Sequence, residues 1–278
     1  MDDITLWRYL TFEQFEDMLE TSTLFFTHRD ALPDYYEEGR IPDNIESQYK
    51  EWAEHCNTSI KIMLSLTGTE TIASTYNLEN ITKGEKEKTK QFINNTYFVC
   101  FRKDKNFSQI IKNNLNKHLA IKISYSKLSI YWKDIGVYTI SSDIYYTKNK
   151  NNINALKRLN ILLNVSSDWK DEKEFRILLP LYESDETYLY KLHLEDLKER
   201  GISPENDEEQ ASYMSLKEYN MFRKLQSEII KNEDCYGVKV PFDTNLIEEI
   251  YIPIDKYDKY SKKYPELKNK LQKIASNS

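Results

Sequence analysis

Apolar and polar positions alternate from the start of the chain, and Ile4-Thr5-Leu6-Trp7-Arg8-Tyr9 has the two-residue period of a short strand. Thr11-Phe12-Glu13-Gln14 then has the form of a capping box, and Phe12, Phe15, Met18 and Leu19 recur at helical spacing. Thr23-Leu24-Phe25-Phe26-Thr27 predicts a second strand. Further on, the pattern predicts a helix over 46–64, with Tyr49, Trp52, Ala53 and Cys56 on one face. A polar, charge-mixed insertion covers 65–95 and includes a helix at 85–94 after Gly84. Tyr97-Phe98-Val99-Cys100-Phe101 reads as a buried strand, Phe107 to Leu115 as a helix, and Leu119 to Ile123 as another strand. Short β segments at 136–140 and 143–146 precede a helix from Asn154 to Val165. The last third predicts a strand at 187–192, a polar loop at 199–210 and an amphipathic helix at 214–232. Strands at 236–242 and 247–253 follow, then a closing helix from Tyr257 to Ile274. Strands and helices mix without regular β-α alternation, so the fold class is α+β.

The densest charge pattern is Trp169-Lys170-Asp171-Glu172-Lys173-Glu174-Phe175-Arg176, which runs into the apolar Ile177-Leu178-Leu179-Pro180. Read as a strand, it puts Glu172, Glu174 and Arg176 on one face and Lys173, Phe175 and Ile177 on the other. The carboxylates then stand where a buried strand emerges, a position suited to holding a carboxylate rigidly against a cationic centre. The same pattern also describes a salt-bridged strand end. In the first strand, an Arg8 flanked by Trp7 and Tyr9 is costly to bury without an anion, which a ligand or a structural carboxylate can supply. Residues 29–39 form a turn-rich loop carrying the paired Tyr35 and Tyr36, and either ring offers a stacking surface for a flat ligand.

Composition narrows the classes. Six Gly and seven Pro leave no visible linker in 278 residues, which predicts a single domain at 1–278 with a charged insertion around 65–95 and a helical C-terminal part. A net charge of −6 argues against coating nucleic acid by bulk electrostatics. Cys56, Cys100 and Cys235 read as small buried hydrophobes of a reduced, cytoplasmic protein, and the four His show no metal-ligand spacing, so no metal site is expected. No apolar run approaches membrane-spanning length. There is no G-x-G-x-x-G, Walker loop or G-x-S-x-G elbow. A metal-dependent nuclease built from Glu172, Glu174 and a third acid is a weaker enzymatic alternative.

Leu6-Trp7-Arg8-Tyr9, the strands at 23–27 and 97–101, the Trp169 to Arg176 segment and Val240-Pro241-Phe242 through Ile247-Glu248-Glu249-Ile250 together resemble a widespread bacterial domain family of long-unknown function. Its layout is similar to the ADP-ribosyltransferase superfamily, which implies mixed sheets with peripheral helices. The resemblance covers nearly the whole chain and rests on the order and spacing of individually weak motifs. It implies an NAD-dependent ADP-ribosyltransferase modifying a protein or nucleic-acid acceptor, as a bacterial toxin or antiphage effector with an antitoxin or regulatory partner. By the same resemblance Glu174 is the catalytic carboxylate, Glu172 orients the acceptor, and Arg8 and Tyr9 hold NAD, with Tyr35 or Tyr36 stacking on it. The chain departs from the family at Arg102, where a Ser is common, and at Leu32-Pro33-Asp34, which only approximates an Asn-Asp-Pro turn. A non-catalytic nucleotide sensor or interaction module is the alternative that these departures keep open.

Overall fold

The computed structural model describes residues 3–31, 46–52, 54–55, 78–103, 118–147, 158–166, 173–204, 214–232 and 235–274. In chain order the elements are β1 (Thr5–Thr11), α1 (Phe12–Thr21), β2 (Thr23–His28), α2 (Leu78–Asn94), β3 (Thr96–Arg102), β4 (His118–Ser124), α3 (Tyr125–Asp134), β5 (Ile140–Asp143) and β6 (Tyr145–Thr147). They continue with α4 (Arg158–Leu163), β7 (Asn164–Ser166), β8 (Glu174–Pro180), α5 (Asp185–Glu199), α6 (Leu216–Ser227), β9 (Ile230–Lys231), β10 (Tyr236–Pro241), β11 (Ile247–Pro253), α7 (Ile254–Lys263) and β12 (Leu271–Ile274). The architecture is a large mixed sheet with several helices.

The chain divides into two compact units. The first comprises Met1–Ala31, Tyr97–Asp143 and Glu172–Ser278, and the second Leu32–Thr96 and Ile144–Asp171. The second unit is assembled from two separate stretches, so no single Gly-, Ser- or Pro-rich linker marks its boundary. Within it α2 and α4 pack together, β6 and β7 pair in parallel, and Phe92, Ile93, Ile161, Leu162 and Val165 are buried. The Tyr49 hydroxyl shares a hydrogen bond with Thr89.

The first unit is built on strands in the order β12-β11-β4-β1-β3-β2-β10-β9, with β8 pairing β3 and β5. β1 and β4 run antiparallel along their full length, from Thr5 opposite Ser124 to Thr11 opposite His118. β3 is the junction, meeting β2 where Phe98 faces Thr27 and β1 where Arg102 faces Trp7. The core gathers alternate residues of neighbouring strands, including Leu6, Leu10, Val99, Phe101, Ile121, Phe175 and Ile177. Burying each such side chain contributes about 1.5–3 kcal/mol. The Thr11 capping box is present, with the Gln14 amide donating to Thr11 and the Thr11 amide donating to the Gln14 side chain, and α1 buries Phe15 and Met18 beneath it.

Several elements depart from the periodicity. The stretch at 187–192 is helical, inside α5, because Ser184 caps the helix and Thr187, Tyr190 and Leu197 form its buried stripe. Helix α2 begins at Leu78 and runs through Gly84, where an added Cβ would touch nothing within 4 Å. The final helix stops at Lys263: Pro265 opens a short 3₁₀ turn, and the chain returns as β12, parallel to β11. Helix α3 has no counterpart in the expected pattern; Ser124 caps it and Leu128 and Trp132 are buried one turn apart. The predicted helix at 107–115 and much of the one at 46–64 lie outside the described residues.

At the end of α3, Gly136 has φ +82°, and an added Cβ would lie 2.9 Å from the Lys217 carbonyl oxygen and side chain. Gly136→Ala is expected to destabilise the first unit by about 1–3 kcal/mol, through left-handed strain and backbone contact together. Chemical denaturation checks this, and an unchanged midpoint would show that the turn relaxes freely.

Candidate functional site

Strand β8 carries the site's charge in a buried setting. Glu174 and Arg176 stand two residues apart on one face, and the Arg176 Nε donates to Glu174 Oε1 at 2.6 Å. Their side chains are 5 % and 0 % exposed, so this is a buried ion pair. The other face of β8 sends Phe175, Ile177 and Leu179 into the core, as the two-residue period requires. Lys173 has φ 44°, a left-handed turn just before the strand begins. Of the expected wall of Glu172, Glu174 and Arg176, Glu174 and Arg176 share a face of β8, and Glu172 lies outside the described residues.

The pair rests against β3. The Arg176 guanidinium lies over the Phe98 ring at 4.6 Å, and Cys100 stands two residues along the same face of β3. Burial pushes the Cys100 thiol up to about 12, and the negative charge of Glu174 adds to that, while Arg176 and Arg8 pull the other way. For Arg176, burial opposes the charge, but Glu174 and Cys100 outweigh it and its pKa is raised. Cys100 is the one residue of β3 that is only partly buried. Its place two residues from Phe98 on the face that meets Arg176 is not marked by composition, which reads it only as a small hydrophobe.

Arg8 meets this cluster from the other side. On β1 it shares a face with the core residues Leu6 and Leu10, while Trp7 and Tyr9 point the opposite way. The pairing of Trp7 with Arg102 places Arg8 beside Phe101, whose ring centroid is 5.8 Å from the guanidinium carbon. Arg8 Nη1 donates to the Cys100 carbonyl at 2.8 Å, and its buried Nε has no hydrogen-bond partner among the described residues. Among the described residues no carboxylate pairs with it, and burial pulls its pKa down. A guanidinium in this condition keeps donors and charge for an anion.

Of the expected residues, the structure thus gathers Glu174 with Arg176 and brings Arg8 to the backbone of Cys100. Arg8 and Glu174 do not meet directly; by strand alternation they project from opposite faces of the sheet. Tyr9 projects away from Arg8, opposite Ala120, so β1 does not offer the two as one surface. Tyr35 and Tyr36 lie outside the described residues. Among the described residues no three His, Cys, Asp or Glu side chains cluster to hold a metal ion, and no helix is long and apolar enough to cross a membrane. Compared with family models, with curated proteins and with solved structures, the chain gives no match.

Proposed function

We propose that the chain binds NAD through Arg8 and transfers its ADP-ribose group to a protein or nucleic-acid acceptor, in the manner of an ADP-ribosyltransferase with mixed sheets and peripheral helices. The observation that carries the binding half is the Arg8 guanidinium, held beside Phe101 and the Cys100 carbonyl with no carboxylate among the described residues to neutralise it. A pyrophosphate would supply that missing charge through charge-assisted hydrogen bonds. The transfer half rests on Glu174 in its Trp-x-x-Glu-x-Glu-x-Arg segment. As the nicotinamide leaves, the ribose gains oxocarbenium character, which a fixed carboxylate stabilises. A toxin or antiphage role would follow from such chemistry on a host or phage acceptor.

A second reading, binding of the nucleotide without turnover, is favoured by one observation: Glu174 is buried in its pair with Arg176 and faces away from Arg8. One experiment separates the two. The protein is incubated with NAD labelled in its adenosine half and with a cell extract, released nicotinamide is measured, and the labelled material is digested separately with protease and nucleases. Nicotinamide release with label in a digestible acceptor is the expected result. Saturable NAD binding with no release selects the second reading, and absence of any NAD-induced shift in melting temperature removes both.

A further inference from the structure

We propose that the exposed stripe of α5 docks a basic amphipathic helix of a second protein, whether or not the chain is a transferase. Helix α5 is anchored along one side. Ser184 caps it, Thr187, Tyr190 and Leu197 are buried, and the Tyr190 ring meets that of Tyr219 on α6 at 5.2 Å. On the other side Tyr188, Leu189 and Leu192 are 54 %, 49 % and 42 % exposed. Spaced one, three and four residues apart on a helix, these three side chains form one contiguous apolar patch. Turning them inward would bring the buried stripe of Tyr190 and Leu197 out, so the patch can be covered only from outside.

Charge selects the occupant. One turn beyond Leu192 the same stripe becomes acidic, with Glu195, Asp196 and Glu199 all exposed. Among the described residues Asp196 has an ion-pair partner, Arg200 at 3.2 Å, and Glu195 and Glu199 have none. Residues 183–209 hold ten acidic and three basic side chains, a balance of −7 in a chain whose whole net charge is −6. The chain's excess negative charge is thus carried by α5 and its immediate neighbours in sequence. A partner helix with apolar residues against Tyr188, Leu189 and Leu192, and with Lys or Arg a turn further on against Glu195 and Glu199, satisfies both halves of the stripe. A second copy of the chain does not. Antiparallel α5 helices would set the carboxylates of one on the apolar patch of the other, and parallel helices would set carboxylate on carboxylate. The chain's own 205–209, with Glu205, Asp207, Glu208 and Glu209, adds like charge where a cation is wanted.

The test titrates a synthetic helical peptide, with Leu at helical spacing on one face and Lys elsewhere, against the full chain by fluorescence anisotropy. One control peptide keeps the Leu face and replaces Lys by Glu, and another holds the same Leu and Lys in shuffled order. The Leu/Lys helix is expected to bind at least about tenfold more tightly than either control. Leu189→Asp with Leu192→Asp should weaken it about tenfold or more, and Glu195→Lys with Glu199→Lys about three- to tenfold, with affinity falling as salt rises. All four positions are exposed, so these variants should melt within a few degrees of the wild type. Equal binding of the shuffled peptide would reduce the effect to bulk charge, and an affinity untouched by the Leu substitutions would place the peptide elsewhere; either overturns the proposal. So does the absence of binding at about millimolar peptide, or loss of the fold in the Leu variants, which would show the patch to be packed. A free protein that sediments as a dimer and is dissociated by Leu192→Asp would make a second copy the occupant. Hydroxyl-radical footprinting that finds Tyr188 and Leu192 protected in the peptide-free monomer would show that the chain covers the face itself.

Discussion

Glu174→Gln is expected to lower the melting temperature of the protein by roughly 10 °C and to remove most of its transfer activity. The first effect follows from the burial of the pair: Arg176 is fully buried, and taking away the charge of Glu174 breaks an ion pair formed out of reach of bulk water. Breaking a buried pair in this way costs about 3–5 kcal/mol, and each kcal/mol moves the melting point by roughly 2–4 °C at this size. The second effect is the loss of the negative charge opposing a developing cation, about 3–4 kcal/mol or roughly a hundred- to thousandfold in rate. Stability and chemistry are separated by the double variant Glu174→Gln with Arg176→Met. Removing both charges should recover most of the melting temperature, since a buried pair replaced by apolar groups is often close to neutral. If the double variant is stable and inactive, Glu174 acts in the reaction; if it is stable and transfers ADP-ribose at the wild-type rate, Glu174 is only half of a structural pair.

Arg8→Ala should weaken NAD binding by roughly ten- to a hundredfold while moving the melting temperature little. Hydrogen bonds to a charged group contribute about 1.5–3 kcal/mol each, which sets the range for affinity. For stability two terms oppose each other. Truncation leaves the Cys100 carbonyl without its 2.8 Å donor, at a cost of about 1–3 kcal/mol, but it also relieves the burial of a guanidinium that has no carboxylate partner among the described residues. Arg8→Lys keeps the charge but loses the planar fork, and should fall between the two in affinity. Isothermal titration with NAD beside thermal melts decides the matter. Affinity unchanged with a large loss of stability would make Arg8 a strut for β3 and leave the anion to be held elsewhere.

Much of the first unit is legible in local pattern because the forces involved are local. The strand at β1, the Thr11 capping box, α1 and the buried run of β3 follow from alternation and from a side chain satisfying an amide three residues away. The same reading fails at α5 and α3, where Tyr, Leu, Ile and Trp give strand-like composition to helices. There Ser184 and Ser124 act as caps, and the stripes of Tyr190 with Leu197 and Leu128 with Trp132 decide in favour of helix. Tertiary packing overrides intrinsic preference at such positions. The closing helix is overread for the opposite reason, since its apolar spacing continues past Pro265 while the backbone cannot.

Sequence alone determined that Glu174 and Arg176 share a face, that Arg8 and Trp7 do not, and that the chain is an α+β protein, because these follow from the two-residue period and from the order of elements along one strand of text. Only the tertiary structure decided what those faces meet. Lys173 turns left-handed just before β8 begins, and Phe98 on β3 arrives beneath Arg176. Arg8 finds a carbonyl where a carboxylate was the expected structural partner. The physical reason is that a charge's partner is set by which strands pair and in what register, and β3 joins β1, β2 and β8 through long-range contacts that no local period encodes.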